Sequence, residues 1–207
     1  MSHTVFDAPL SKTIMKKISL LFLKCTGWQV TGELPNSPKC VIIAAPHTSN
    51  WDLPYTLFVS FALDMKIAWM GKASIFKPPF HRLFRWLGGI PIDRSKAHNT
   101  VQKSIDAFEK SDELVLAIPP SGTRKQVTTW KTGFYHIARG ADVPIALGFL
   151  DYRTRTGGIG PLLHPTGDMD SDMKTIQQFY QNITGKNPPK NDPVIPPAFI
   201  TEGSPLP

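Results

Sequence analysis

Apolar residues recur along this chain in two alternating rhythms. From 10 to 25 they fall at three- and four-residue spacing, at Leu10, Ile14, Ile18, Leu21, Phe22 and Cys25, with Lys12, Lys16, Lys17 and Lys24 between them. That spacing predicts an amphipathic helix. Val41–Ala45 is instead an unbroken apolar run between proline-rich turns, the pattern of a strand covered on both faces. The alternation continues with a helix over 52–63, a strand over 66–70, a short helix over 79–87 and a strand over 89–92. A helix over 99–110 follows, with Asn99 as its N-cap, then a strand over 113–118, a helix over 133–141, a strand over 143–150 and a last helix over 171–183. Strands alternating with helices predict an α/β fold, one mixed sheet covered by helices on both faces.

The length of 207 residues suits a single domain with a sizeable core. Three segments are expected: an N-terminal amphipathic membrane-surface helix over 1–27, the main domain over 28–186, and a proline-rich tail over 187–207. A basic helix near a terminus suits a membrane surface, but it equally suits a helix packed on the domain with its lysines solvated. No apolar run approaches the roughly 20 residues of a bilayer span. The lysines and short apolar stretch at the N-terminus fall short of a signal-peptide core, so the chain reads as cytoplasmic and unprocessed. Two cysteines, Cys25 and Cys40, make neither a disulfide framework nor a four-ligand zinc site, which favours a reducing compartment.

Charge narrows the partners. Lys and Arg number 23 against 16 Asp and Glu, a net charge of +7, and such a surface attracts phosphate-bearing partners. Nucleic acid, anionic lipid and phosphorylated small molecules all remain open on charge alone. Serine hydrolysis finds no Gly-x-Ser-x-Gly elbow. A P-loop is also missing: Gly27 and Gly32 have the spacing, but Glu33 stands where lysine is required.

Candidate chemistry gathers where strands give way to loops, as ligand sites do in α/β sheets. Just after the 41–45 strand come His47 and, five residues on at a helix start, Asp52. A carboxylate that accepts the Nδ1 proton of an imidazole fixes its tautomer and leaves Nε2 as a general base. Spacing alone also allows Asp52 to be a helix cap and His47 an ordinary loop histidine. A second strand delivers Arg94 to a loop. A third exit carries Ser121-Gly122-Thr123-Arg124, whose N–H groups, hydroxyls and guanidinium suit a phosphate, and Lys72 flanks them. Each basic residue taken singly also reads as a solvated surface charge. The segment from Phe76 to Trp86 mixes aromatics with cations, which suits a lipid interface or a core helix with a basic edge.

In this order the pieces resemble the glycerolipid acyltransferase family, whose bacterial members include 1-acylglycerol-3-phosphate acyltransferase. The resemblance runs from about 28 to 150 and rests on four motifs in register. They are His47-x4-Asp52, the segment Gly89-Ile90-Pro91-Ile92-Asp93-Arg94, Pro120-Ser121-Gly122-Thr123-Arg124, and the strand around Val143-Pro144-Ile145. Trp130-Lys131-Thr132-Gly133 fits the segment before the fourth motif. Ser121 departs from the pattern, since the family usually has Glu there.

The resemblance implies a glycerol-3-phosphate-acyltransferase-like fold and an O-acyltransferase of phospholipid biosynthesis. His47 would be the general base and Asp52 its orienting partner. Lys72, Arg94, Ser121, Gly122, Thr123 and Arg124 would hold the acceptor. Its substrates would be a lysophospholipid, such as 1-acylglycerol-3-phosphate, and an acyl-CoA or acyl carrier protein thioester, with no metal or organic cofactor. It implies an anionic membrane surface as partner rather than nucleic acid, and a peripheral place on the cytoplasmic face of the inner membrane. Ser121 leaves two variants beside this reading, a lysolipid acceptor without phosphate and a catalytically weakened relative that binds anionic lipid. A non-enzymatic binder of lipid or nucleic acid leaves the four motifs unexplained.

Overall fold

The computed structural model describes residues 4–33, 35–93, 97–125, 127, 129–188 and 198–199. Among these, seven strands form one sheet. Its centre is β2 (Lys39–Ala45), which pairs in parallel with β5 (Leu114–Ile118) on one side and β7 (Ile145–Asp151) on the other. Beyond β5 lie β3 (Ile67–Lys72) and β4 (Gly89–Ile92), again parallel. Beyond β7 lie β8 (Thr156–Leu163), antiparallel to it, and then β1 (Gln29–Thr31). A separate pair joins β6 (Thr129–Trp130) to β9 (Ala198–Phe199).

Side chains of β2 alternate between two cores, as the period of two requires. Val41 and Ile43 face Phe134 and Ile137 of α5 (Gly133–Gly140), Phe108 of α4 (Ala97–Glu109) and Ile176 of α6 (Met169–Tyr180). Cys40 and Ile42 face Leu57 and Phe61 of α2 (Asp52–Ala62). The sheet is mixed and covered on both faces, as the alternation predicts. Burial pushes the Cys40 thiol up to about 12, so it is an inert packing residue.

Two strands of the seven-stranded sheet, both strands of the separate pair and one cap differ from the sequence expectation. No element is predicted between 150 and 171, yet Gly157, Gly158, Gly160 and Pro161 lie in β8. Glycine is needed because the backbones crowd: a Cβ on Gly158 would stand 2.0 Å from the Thr31 carbonyl oxygen. The three-residue β1 exists only as its neighbour. Asn99 lies inside α4, whose range begins at Ala97, so it is not the N-cap. In contrast, α6 begins with a real cap, the Asp168 carboxylate accepting from the Ser171 N–H at 3.1 Å. Of the 187–207 tail, only Asn187, Pro188 and the β9 residues lie among those described.

The N-terminal helix α1 (Pro9–Cys25) packs on α2, with Phe22 stacked on Phe58 at 4.2 Å. Its turn of approach is set by Ser19 and Leu23, which are buried. The apolar stripe of Leu10, Ile14, Ile18 and Leu21 points the other way and is exposed. Lys12 and Lys16 lie toward the domain and pair with Asp64. The helix therefore carries apolar residues on both sides, with Met15, Phe22 and Leu23 inward, and Lys12 and Lys16 are not simply a solvated face.

Candidate active site

The strands β2, β3, β4, β5 and β7 run the same way and end at the same end of the sheet, so their exits converge. At the exit of β2 the chain turns through Pro46 and His47 into α2, whose first residue is Asp52. The Asp52 side chain folds back over this turn. Its Oδ2 accepts the Thr48 N–H at 2.7 Å and the Ser49 N–H at 2.8 Å, and lies 3.1 Å from His47 Nδ1. Its Oδ1 accepts the Tyr152 hydroxyl at 2.9 Å. Asp52 is thus not merely the first residue of a helix: its acceptors are spent on the turn before the helix, on His47 and on Tyr152.

Burial pushes the Asp52 carboxyl up, but the hydrogen bonds from His47, Ser49, Tyr152 and Thr48 outweigh it and hold the group below its ordinary 3.8. The result is a buried, ionised carboxylate, only 5% exposed. The positive end of the α2 backbone dipole favours the same charge. With Nδ1 facing this carboxylate, Nε2 is the nitrogen left for a substrate proton.

His47 stands at the mouth of a cavity of about 770 Å³. The cavity runs between α2 and the sheet, from His47 and Lys72 at the strand ends to Met65 and Ile67 at the far end of β3. Its deep walls are apolar, with Ile42, Leu53, Val59 and Ile159 among them. The span along β3 is about 17 Å at the usual strand rise. Such a space takes an extended hydrocarbon chain and directs its polar end to His47.

The other expected site residues are distributed unevenly. Lys72, Thr123 and Arg124 line the cavity with His47, and Lys125 joins them. Gly122 adopts φ +62°, which suits glycine, and its N–H is used within the turn, donating to the Pro119 carbonyl at 3.1 Å. Ser121 likewise closes its own turn, its hydroxyl donating to the Thr123 carbonyl at 2.7 Å. Arg94, expected beyond β4, lies outside the described residues.

Tyr152 and the deep cavity wall were not legible as site features. Tyr152 is 100 residues from Asp52, and no local spacing links them. Its place follows from the parallel register of Ala45 with Phe149, which sets the exits of β2 and β7 side by side.

A family model described as "Acyltransferase" matches residues 27–146. The crystal structure of the 1-acyl-sn-glycerophosphate (LPA) acyltransferase, PlsC, from Thermotoga maritima has a similar fold, with a TM-score of 0.58 and 16% sequence identity over 82% of this chain and 76% of that one. No curated protein matches the sequence.

Proposed function

The chain belongs to the acyltransferase family, and on that premise we propose that it esterifies a lysophospholipid, 1-acylglycerol-3-phosphate or a close relative, with His47 as general base. The observation that carries this reading is the His47–Asp52 contact of 3.1 Å at the mouth of a large apolar cavity. In the reaction, His47 Nε2 takes the proton of the acceptor hydroxyl as its oxygen attacks the thioester carbonyl. The C–O bond forms, the C–S bond breaks, and the proton passes to the departing thiolate. Asp52 holds the imidazole tautomer and balances its transient positive charge. The acyl chain occupies the cavity, while Lys72, Thr123, Arg124 and Lys125 face the acceptor phosphate at its rim. The donor is acyl-CoA or an acyl carrier protein thioester.

The acceptor resides in membranes, and two exposed patches suit docking there. On α1, Leu10 is 74% and Leu21 63% exposed, with Lys17 and Lys24 on the same side. On α3 (His81–Trp86) and the residue before it, Phe80, Leu83 and Trp86 are exposed beside Arg82 and Arg85. The Val5 N–H donates to the Trp86 carbonyl at 2.8 Å, which keeps the approach to α1 beside the end of α3. Among the described residues no helix is long and apolar enough to cross a membrane. Peripheral attachment to an anionic surface follows from these patches, and the cytoplasmic face of the inner membrane is where such an enzyme would meet its thioester donors.

The test is product formation followed by mass spectrometry. Purified protein receives lysophosphatidic acid in vesicles, with acyl-CoA and separately with acyl carrier protein thioester. Phosphatidic acid made by the wild type and lost in His47→Ala is the expected result. No product with either donor would overturn the phosphate-bearing acceptor. Ser121, in the position of the family's Glu, keeps a phosphate-free lysolipid as the second reading.

A further inference from the structure

The Asp52 carboxylate has two oxygens with different duties. Oδ2 serves His47 and two N–H groups of the preceding turn, and none of these reaches Oδ1. Oδ1 is held by the Tyr152 hydroxyl at 2.9 Å. Without that donor, Oδ1 would be a buried acceptor in a site where Asp52 is 5% exposed. Burial and the neighbouring Asp52 charge push the Tyr152 phenol far above its ordinary value. The hydroxyl therefore stays protonated, and a donor, throughout the range in which His47 works.

Tyr152 is itself fixed from behind. Its N–H donates to the Thr184 carbonyl at 2.8 Å, and the Thr184 N–H donates to Asp151 Oδ1 at 3.2 Å. Its ring meets Trp28 edge-on at 4.9 Å and Tyr55 at 5.9 Å. Beyond Thr184 the chain crosses the His47–Asp52 turn. The Asn187 N–H donates to Thr48 Oγ1 at 3.2 Å, and its side-chain amide donates to the Thr48 carbonyl at 3.0 Å. Lys186 lies over Trp51, 5.0 Å from the ring centre, and 5.9 Å from that of Tyr152. The approach is close enough to need Gly185, where a Cβ would stand 2.7 Å from Thr48 Oγ1.

We propose that Tyr152, backed by the 184–187 strap, is a positioning residue that fixes the rotation of the Asp52 carboxylate so that one oxygen faces His47. The proposal rests on the acyltransferase reading of His47 and Asp52. Both Tyr152 and the strap lie outside the segment 27–146 that the family model matches, so this is a support built by the rest of the chain.

Among the described residues, the charged and titratable groups around the dyad are Tyr152 and Tyr55 behind Asp52, Lys186 on the strap, and Lys72, Arg124 and Lys125 on the cavity rim. Among these kinds of side chain, imidazole is the one whose ordinary charge change falls between about pH 5 and 8. A change in His47 titration there reports its relation to Asp52.

Tyr152→Phe is the test, because the ring contacts remain and only the hydroxyl goes. His47 is followed by NMR of labelled histidine, its signal assigned by loss in His47→Ala. With the carboxylate free to turn, the imidazolium loses part of its partner, and its midpoint falls by about 0.3–1 unit. With lysophosphatidic acid as acceptor, kcat falls about tenfold while both KM values stay within about twofold. Tyr135→Phe serves as the control: it removes a buried hydroxyl from Asp172, so the melting temperature drops while the His47 midpoint stays. An unchanged midpoint in Tyr152→Phe, or kcat within twofold of wild type, would overturn the proposal. A raised midpoint would also overturn it, since Tyr152 would then act only by withdrawing charge from Asp52. A fallen midpoint in a protein that makes no phosphatidic acid would leave the positioning role standing and remove the acceptor assignment instead.

Discussion

Ser19 is fully buried against the domain while its neighbour Ile18 stands 49% exposed. One helix thus turns a hydroxyl inward and a branched hydrocarbon outward. The inward position is small because α1 lies close on α2, and the outward one continues a stripe with Leu10, Ile14 and Leu21. Each such side chain gains about 1.5–3 kcal/mol on full burial. Replacing Ile14 and Ile18 together by Glu should weaken binding to anionic vesicles at least about tenfold. The melting temperature should hardly move, since neither side chain supports the core. Vesicle sedimentation and thermal melting check both halves, and undiminished vesicle binding would count against α1 as the docking face.

His47→Ala should lower kcat by about 10²–10⁴, the usual contribution of a positioned base. Asp52→Asn should also lower it severely. An amide keeps the shape but neither holds the Nδ1–H tautomer nor balances an imidazolium. Product formation under saturating thioester distinguishes these losses from weakened binding, because both variants should keep KM near wild type.

Acid should loosen the fold partly through Asp52. Its folded-state value lies below 3.8, so its stabilising contribution is complete above that ordinary value. As pH falls below 3.8 the unfolded chain takes up the proton first, and the contribution is lost as pH passes through the depressed folded value. Asp7, paired with Lys66, and Asp64, paired with Lys16, are lowered too and share the window. Urea midpoints measured from pH 6 to pH 3 should therefore fall in the wild type. Asp52→Asn should start lower and fall less over the same range, and parallel curves would contradict the assignment.

The cavity ends at Met65 and Ile67, so bulk added there should shorten the chain it accepts. Met65→Trp should shift donor preference toward shorter acyl groups, with little change in rate for the shortest. A competition among thioesters of graded length reads the shift. The cost of overpacking, about 1–3 kcal/mol in a filled core, should be smaller here because the cavity receives the extra ring.

Ser121→Glu should change which acceptor is used. The serine hydroxyl donates to the Thr123 carbonyl, a bond that an ionised carboxylate is unable to make. The turn must therefore open and bring a negative charge close to Thr123 and Arg124 at the rim. An acceptor profile identical to wild type would show that this turn does not face the headgroup.

Much of the molecule was legible residue by residue. Unbroken apolar runs such as Val41–Ala45 announced strands covered on both faces, and the His47–Asp52 spacing announced a turn at a strand exit. Both depend on neighbours close in sequence, where backbone period and reach govern the outcome. The glycine-rich β8 was missed because its residues answer to the Thr31 backbone across the sheet rather than to local propensity. The helical period of α1 was plain, but spacing does not say which side of a helix meets the domain. Ser19 and Leu23 decide that through their fit on α2. Tyr152 reaches Asp52 only because β7 lies beside β2 in parallel, which puts two strand exits 100 residues apart within hydrogen-bond distance. The order of residues thus determined the elements and the chemistry each could carry, while the sheet order, by joining distant strand ends, decided which of them meet.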